Sequence, residues 1–245
     1  MPAATSSTAR SSHTLPPVSD ERQRAWAAAG EAAAAQVEAG MRVGLGTGRA
    51  AAAGIRALGI RVASGLRCTG VPTSRASTAL ARELGISLGQ LDGPLDLAFD
   101  GADAVAPDGQ VVKGAGGALV RERIVAEAAA RFLVLVDAPK VVATLDEWGS
   151  LPTAVVPFGV GWVRAQLADL SPRRRPGLSD DGLAIVDLAI PPGSDWSAVA
   201  DRATALAGVV DHGLFRVSLA DVLVGRPDGG CDAAGPPEGI ATIRG

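Results

Sequence analysis

Short apolar runs alternate with alanine-rich stretches through the first half of the chain. Each run stops at a glycine, a proline or an aspartate, which is typical of a buried strand followed by a loop. The alanine-rich stretches have helical length, and the first begins at a capping residue, Ser19. The pattern predicts strands at residues 42–45, 68–71, 95–99 and 132–136, and helices at residues 20–37, 50–58, 76–84 and 117–130.

This strand–loop–helix alternation predicts an α/β fold, a Rossmann-like parallel sheet with helices on both faces. In such sheets the ligand lies beyond the carboxyl ends of the strands. Thr47, Asp100 and Asp137 each follow a predicted strand. We therefore expect them to share one rim of the sheet, together with Lys113.

Prolines and shorter elements mark the second half of the chain. Predicted strands at residues 155–156 and 185–190 alternate with helices at 160–167 and 196–207, which favours a small α+β lid domain of the ferredoxin-like type. The apolar run 222–224 should return to the main sheet. The expected organisation is a flexible N-terminal tail (1–18), a Rossmann-like catalytic domain (19–148 with 218–229), the lid domain (149–217) and a loose C-terminal tail (230–245).

Composition narrows the class of protein. The 245 residues are 47% apolar but only 3% aromatic, so the core must be built from alanine, valine, leucine and isoleucine. A net charge of −3 predicts neither nucleic-acid nor membrane binding. Cys68 and Cys231 form no CxxC pair, so a zinc site or disulfide framework is not expected, and we predict a cytoplasmic protein.

The loop that begins at Lys113 carries the strongest chemical signal. Lys113 precedes a glycine-rich run, and Glu122 follows about one helical turn later. Backbone N–H groups, an ammonium group and a carboxylate can together surround a small anionic substrate, with the carboxylate as a base. Of 23 basic residues, only Lys113 and Lys140 are lysines.

A second glycine loop follows the first predicted strand. Gly44 and Gly46 start a dinucleotide-type pattern, but the third glycine is missing and no acidic residue follows at ribose-binding distance. A phosphate pocket at the start of a helix fits better. Arg49 would add charge to it, or would simply face solvent.

Asp100 and Asp103 are spaced for one tight turn. They are either turn or capping aspartates, or groups that bind sugar hydroxyls beside Lys113; a bound magnesium ion is a further alternative. The chain has only two histidines: His13 lies in the predicted N-terminal tail, and His212 lies outside the predicted rim. A Ser-His-Asp mechanism is therefore not expected. The arginine run at residues 173–175 predicts a solvated loop.

Eight motifs in order resemble the ribose-5-phosphate isomerase A family, over a match from about residue 20 to residue 229. None is specific alone, but their common order makes the resemblance strong. They are VGLGTG (43–48), GVPTS (70–74), DGAD (100–103), KGAGGA (113–118), RE (121–122), DAPK (137–140), LP (151–152) and GVVDHGLF (208–215).

The resemblance implies an enzyme that interconverts ribose 5-phosphate and ribulose 5-phosphate through an enediol, without a metal or organic cofactor. It also implies a homodimer or homotetramer. Glu122 would be the base and Lys113 would steady the oxyanion, while Asp100 and Asp103 would bind hydroxyls and assist ring opening. The implied substrate-binding residues are Thr47, Gly48, Arg49, Ala50, Gly101, Ala102, Gly114, Ala115, Gly116 and Lys140.

The chain departs from the family pattern at four places. Arg49 and Ala50 replace the usual serine and threonine, Ala104 replaces a glutamate, Ala115 replaces a glycine, and the first helix lacks a lysine. These changes leave two alternatives open: an isomerase of another sugar phosphate, and a non-catalytic sugar-phosphate sensor. The first 20 residues are too short and polar for the DNA-binding module that such a sensor would carry.

Overall fold

The structure is a computed structural model that describes residues 19–234 and 241–243. The predicted N-terminal tail, residues 1–18, lies outside the described residues. In chain order the strands are β1 (Arg42–Leu45), β2 (Thr69–Pro72), β3 (Ser87–Leu88), β4 (Leu97–Gly101), β5 (Ala104–Val105), β6 (Gln110–Val112), β7 (Phe132–Asp137), β8 (Ser150–Val155), β9 (Arg173–Arg174), β10 (Ala184–Ala189), β11 (Val209–His212), β12 (Leu214–Arg216), β13 (Val222–Gly225), β14 (Cys231–Ala233) and β15 (Ala241–Ile243).

Several helices begin at side-chain caps. Ser19 and Ser74 accept hydrogen bonds from the backbone N–H groups of Arg22 and Ser77, and Asp195 caps the last helix in the same way. None of the helices in the described part is long and apolar enough to cross a membrane. The α-helices are α1 (Asp20–Ala35), α2 (Arg49–Ala63), α3 (Arg75–Glu83), α4 (Leu119–Ala128), α5 (Val160–Gln166) and α6 (Trp196–Thr204).

The main sheet has eight strands in the order β15-β14-β13-β7-β4-β1-β2-β3. The six strands from β13 to β3 are mutually parallel, and β14 and β15 extend one edge in antiparallel pairing. The chain progresses outward in opposite directions from β1 and from β4, so the topological switch point lies between these two strands. A ligand is expected there, beyond their carboxyl ends.

Both faces of the main sheet are covered. Leu97 and Phe99 of β4 pack with α1, α2 and α3, whereas Ala98 between them packs against Val125 of α4. The second face is shared with a three-stranded sheet, β12-β6-β5, whose Val111 meets Val134 of β7. The sequence predicted the Rossmann-like sheet and the return of β13, and both are confirmed; the three-stranded sheet was not predicted.

The second half of the chain forms a four-stranded antiparallel sheet in the order β11-β8-β10-β9. Helix α5 follows β8 and α6 follows β10, so the elements run β-α-β-β-α-β, which is the ferredoxin-like arrangement expected from the sequence. Leu151, Val186 and Leu188 form its core with Trp196 of α6.

Two details differ from the expected domain organisation. The segment 230–245 was expected to be loose, but β14 pairs with β13 because Cys231 continues the apolar pattern of the sheet edge. Residues 235–240 and 244–245 of that segment lie outside the described residues. Strand β12, placed in the lid by sequence, pairs instead with β6 beside the main sheet. The domain boundaries themselves stay a prediction.

Candidate active site

A cleft of about 660 Å³ opens at the switch point, beyond the carboxyl ends of β1 and β4. Every site residue predicted from the sequence lines this cleft except Asp100. The predicted residues that line it are Thr47, Gly48, Arg49, Ala50, Gly101, Ala102, Asp103, Lys113, Gly114, Ala115, Gly116, Glu122 and Lys140.

Lys113 follows β6 and is almost completely buried, with 2% of its side chain exposed. Its backbone N–H donates to the carbonyl of Gly213 (2.8 Å), and its ammonium group donates to the carbonyl of Gly101. Nζ lies 3.0 Å from Asp100 Oδ2 and 3.4 Å from Glu122 Oε2. Burial lowers the pKa of Lys113, but the two carboxylates outweigh it and the pKa is raised. The lysine is therefore a fixed positive charge.

Glu122 lies in the first turn of α4 and is 4% exposed. Burial, helped by the negative charge of Asp100, raises the pKa of Glu122 to about 8, although Lys113 opposes the shift. Its Oε2 atom is buried and, apart from the 3.4 Å contact with Lys113 Nζ, has no polar partner among the described residues. A carboxyl group with this pKa can take up and return a proton near neutral pH.

Asp100 lies beneath the cleft rather than in its wall. Its Oδ1 accepts the backbone N–H groups of Thr47 (2.9 Å) and Gly101 (2.7 Å), and its Oδ2 faces Lys113. A methyl group at Gly46 would overlap this carboxylate, so the glycine permits the close approach. Sequence placed Asp100 among the groups that bind hydroxyls; here its oxygens are directed to the loop backbone and to the lysine.

Asp103 does face the cleft. Its Oδ2 accepts the backbone N–H of Ala115 (2.8 Å), and its Oδ1 lies 3.7 Å from Lys140 Nζ. Lys140 donates to the carbonyl of Ala102, and burial lowers the pKa of Lys140. Asp100 and Asp103 thus pair with different lysines. Within the described residues, no group of three or more histidine, cysteine, aspartate or glutamate side chains could hold a metal ion.

The other end of the cleft is formed by the start of α2. Gly48 adopts φ of 97°, a left-handed conformation that favours glycine, and no side chain caps the helix. The first N–H groups of α2 therefore lack a side-chain partner at the helix end where anions bind. Thr47 Oγ1 hydrogen-bonds Thr73 Oγ1 at 2.7 Å, while Arg49 is exposed at the rim.

Helix α1 contributes two lining residues that the sequence analysis did not single out, Arg22 and Trp26. Arg22 Nε donates to Asp137 Oδ2 at 2.5 Å. The guanidinium carbons of Arg22 and Arg49 lie 5.2 and 5.9 Å from the centre of the Trp26 ring. The i, i+4 spacing of Arg22 and Trp26 puts them on one helix face, which was the available sequence signal.

The arginine run at residues 173–175 was expected to be a solvated loop, but Arg173 and Arg174 form strand β9, which pairs with β10. Arg173 and Arg174 are exposed as expected, but Arg175 is only partly exposed and donates to the carbonyls of Gly114 and Ala115. His212 lies outside the cleft, as expected from its place in the sequence.

The fold and the cleft define a class: an α/β enzyme with a buried carboxyl–ammonium pair near a helix start that no side chain caps. The family model for ribose 5-phosphate isomerase A (phosphoriboisomerase A) matches residues 69–229. The chain is 44% identical over 225 residues to the ribose-5-phosphate isomerase A of Thermomicrobium roseum, covering 84% of this chain and 92% of the relative. It is 46% identical over 212 residues to that of Natronomonas pharaonis, covering 82% and 92%.

Solved structures agree. Ribose 5-phosphate isomerase A from Methanocaldococcus jannaschii superposes with a TM-score of 0.79 at 32% identity, covering 91% of this chain and all of the other. A D-ribose-5-phosphate isomerase in complex with phospho-erythronic acid gives a TM-score of 0.77 at 30% identity, with 92% and 99% covered. The chain belongs to the ribose 5-phosphate isomerase A family and is an isomerase.

Proposed function

We propose that the cleft interconverts D-ribose 5-phosphate and D-ribulose 5-phosphate, the isomerisation of the pentose phosphate pathway, with Glu122 as base and Lys113 as the oxyanion partner. The observation that carries these roles is the 3.4 Å approach of Lys113 Nζ to Glu122 Oε2 at the floor of a cleft. A base and a cation at this distance can act on adjacent atoms of one small substrate.

The reaction then runs through an enediolate. The Glu122 carboxylate removes the proton from C2 of the open aldose, and the C2–H electron pair forms the C1–C2 double bond while negative charge develops on O1. Lys113 stabilises that charge, since a cation already in place inside a buried site costs no reorganisation. A proton passes from O2 to O1, and the Glu122 carboxyl group returns its proton to C1, which leaves a ketone at C2.

The remaining lining groups suit a sugar phosphate. Asp103 presents a carboxylate to the sugar hydroxyls, and Lys140 lies beside it. The start of α2 suits the phosphate because its N–H groups and the helix dipole favour an anion. Arg49 at that helix start supplies the charge that replaces the two hydroxyl side chains usual in the family. Asp100 serves by holding Lys113 in place.

The pH dependence tests the proposed base. Since Glu122 must lose its proton to act and burial raises its pKa to about 8, kcat/KM should rise with pH and level off above about pH 8. The measurement is the initial rate of ribose 5-phosphate isomerisation between pH 6.5 and 9.5. The substrate phosphate, with a second pKa of about 6, is already mostly dianionic at the start of this range, so its titration is nearly complete before that of Glu122 begins. A profile already flat at pH 6.5 would contradict the assignment.

Arg49→Ser tests whether Arg49 binds the substrate phosphate at the start of α2. Loss of a charged donor to the phosphate should raise KM about tenfold while kcat changes less than threefold, because the contact is the same in the ground and transition states. Arg56→Ser is the control, since Arg56 is exposed on the same helix away from the cleft. The same assay with other pentose and hexose phosphates checks the substrate. Because serine, the usual residue here in the family, can itself donate to a phosphate, Arg49→Ala is measured as well, and an unchanged KM in Arg49→Ala would remove Arg49 from the phosphate site.

We also propose that the chain works in the cytoplasm as a homodimer or homotetramer. Support for assembly comes from large apolar side chains exposed near the four-stranded sheet, Phe158 and Trp162. Light scattering of the purified protein measures the particle mass, and a monomer at micromolar concentration would overturn the assembly.

A further inference from the structure

Arg175 connects the four-stranded sheet to the catalytic loop. It follows β9, and its Nη1 donates to the carbonyls of Gly114 (2.7 Å) and Ala115 (2.9 Å). These are the two residues directly after Lys113. Arg175 does not line the cleft, so any effect on the reaction must pass through the loop.

The guanidinium group is itself held rigidly. Asp187 on the neighbouring strand β10 accepts from Nε at 2.7 Å and from Nη2 at 2.6 Å, in a bidentate pair. Both side chains are largely buried, with 26% and 18% exposed. A bidentate arginine pair fixes the plane of the guanidinium and hence the direction of its remaining nitrogen, which points at the loop.

The Gly114–Ala115 peptide group is hydrogen-bonded on both sides. Its carbonyl accepts from Arg175, and its N–H donates to Asp103 Oδ2 at 2.8 Å. A trans peptide points its C=O and N–H in opposite directions, so the two partners hold the peptide plane between them.

The next peptide follows the same geometry. Because the Ala115 carbonyl turns toward Arg175, the N–H of Gly116 turns away from it. Gly116 lines the cleft in which we propose that the substrate binds. Arg175 thereby sets the direction of a backbone donor as well as the position of the loop that begins at Lys113.

We propose that Arg175, held by Asp187, is a positioning residue for isomerisation: it fixes the loop 113–116 so that Lys113 and the Gly116 N–H meet the substrate. The inference rests on the proposed function of this cleft. It assigns to the ferredoxin-like sheet a part in catalysis. Loss of the contact would let the loop move, and a displacement of about 1 Å can lower the rate on the order of a hundredfold.

The test compares Arg175→Met with Arg174→Met, because Arg174 is an exposed neighbour that makes no hydrogen bond to the loop within the described part of the chain. Arg175→Met should lower kcat at least tenfold per folded enzyme, whereas Arg174→Met should keep the wild-type kcat. Guanidinium ion at low millimolar concentration should restore part of the activity of Arg175→Ala and leave the wild type unchanged. Assays run well below each variant's melting temperature.

A merely structural role gives a different result. It predicts a lower melting temperature for Arg175→Met with wild-type kcat per folded molecule, and no effect of guanidinium ion on Arg175→Ala; that outcome overturns the inference. If Arg175→Met fails to fold, Arg175→Lys keeps the charge but cannot reproduce the bidentate pair together with both carbonyl contacts; wild-type kcat in that variant also overturns it. Glu122→Gln run in parallel separates the two proposals, since an active Glu122→Gln contradicts the proposed function itself.

Discussion

Replacing Glu122 by glutamine is expected to lower kcat for ribose 5-phosphate isomerisation at least a hundredfold. Glutamine keeps the size of the side chain but cannot accept the proton from C2, and a lost general base typically costs a factor of 10² to 10⁴. KM should change little, because glutamine still fills the floor of the cleft. The pH-dependent rise of kcat/KM near pH 8 should vanish together with the titrating group.

Glu127→Gln is the matched control. Glu127 lies on the same helix α4 but is exposed and outside the cleft. It should retain wild-type kcat and the wild-type pH profile. Both variants are compared by steady-state kinetics after their melting temperatures have been measured. Activity of Glu122→Gln within threefold of the control would remove Glu122 from the role of base.

Lys113→Met should cause a loss of similar size by a different route. The oxyanion loses its cation, and removal of one such stabilising group typically costs a factor of about 10² to 10³ in kcat. The pKa of Glu122 should also rise further, because Lys113 is the group that opposes its upward shift. Any residual activity should therefore reach its plateau at a higher pH than in the wild type.

Stability should fall as well in Lys113→Met. Breaking a buried ion pair by removing one partner typically costs about 3–5 kcal/mol, and here Asp100 would be left buried beside methionine. Lys140→Met is the informative comparison, since Lys140 is the other lysine of the chain. That variant should act mainly on KM. If Lys113→Met kept both kcat and melting temperature, neither its electrostatic role nor its pairing with Asp100 would stand.

Local patterns predicted much of the molecule. The bounds of β1 and the approximate positions of the helices followed from apolar periodicity, cap residues and glycines, which act within a few residues along the chain. The rim that holds Thr47 and Asp137 followed from one rule, that parallel strands end on the same side of the sheet. Lys113 was expected to join them and does, but it reaches the cleft from β6 of the three-stranded sheet. The Lys113 loop was recognisable because its glycines and its lysine are adjacent in sequence.

Other features depended on contacts between distant segments. Arg175 meets Gly114 across 61 positions and Arg22 meets Asp137 across 115, and neither pair leaves a periodic signal. The pairing of β12 with β6 depends on short strands whose apolar pattern fits several partners equally well. The place of Asp100 below the cleft likewise depends on the close approach of Gly46, from a different strand end.

The sequence by itself therefore determined the fold class, the sheet edge at which the cleft lies and the residues proposed for proton transfer. Propensity, periodicity and motif spacing are properties of neighbouring residues, and they survive without any knowledge of packing. Only the tertiary structure decided the pKa of the proposed base and the contacts that hold the loop 113–116 in place. The pKa of Glu122 depends on burial and on the charges of Asp100 and Lys113, and the loop 113–116 depends on Arg175 from another sheet. Both are set by distances through space, which the linear order of residues does not encode.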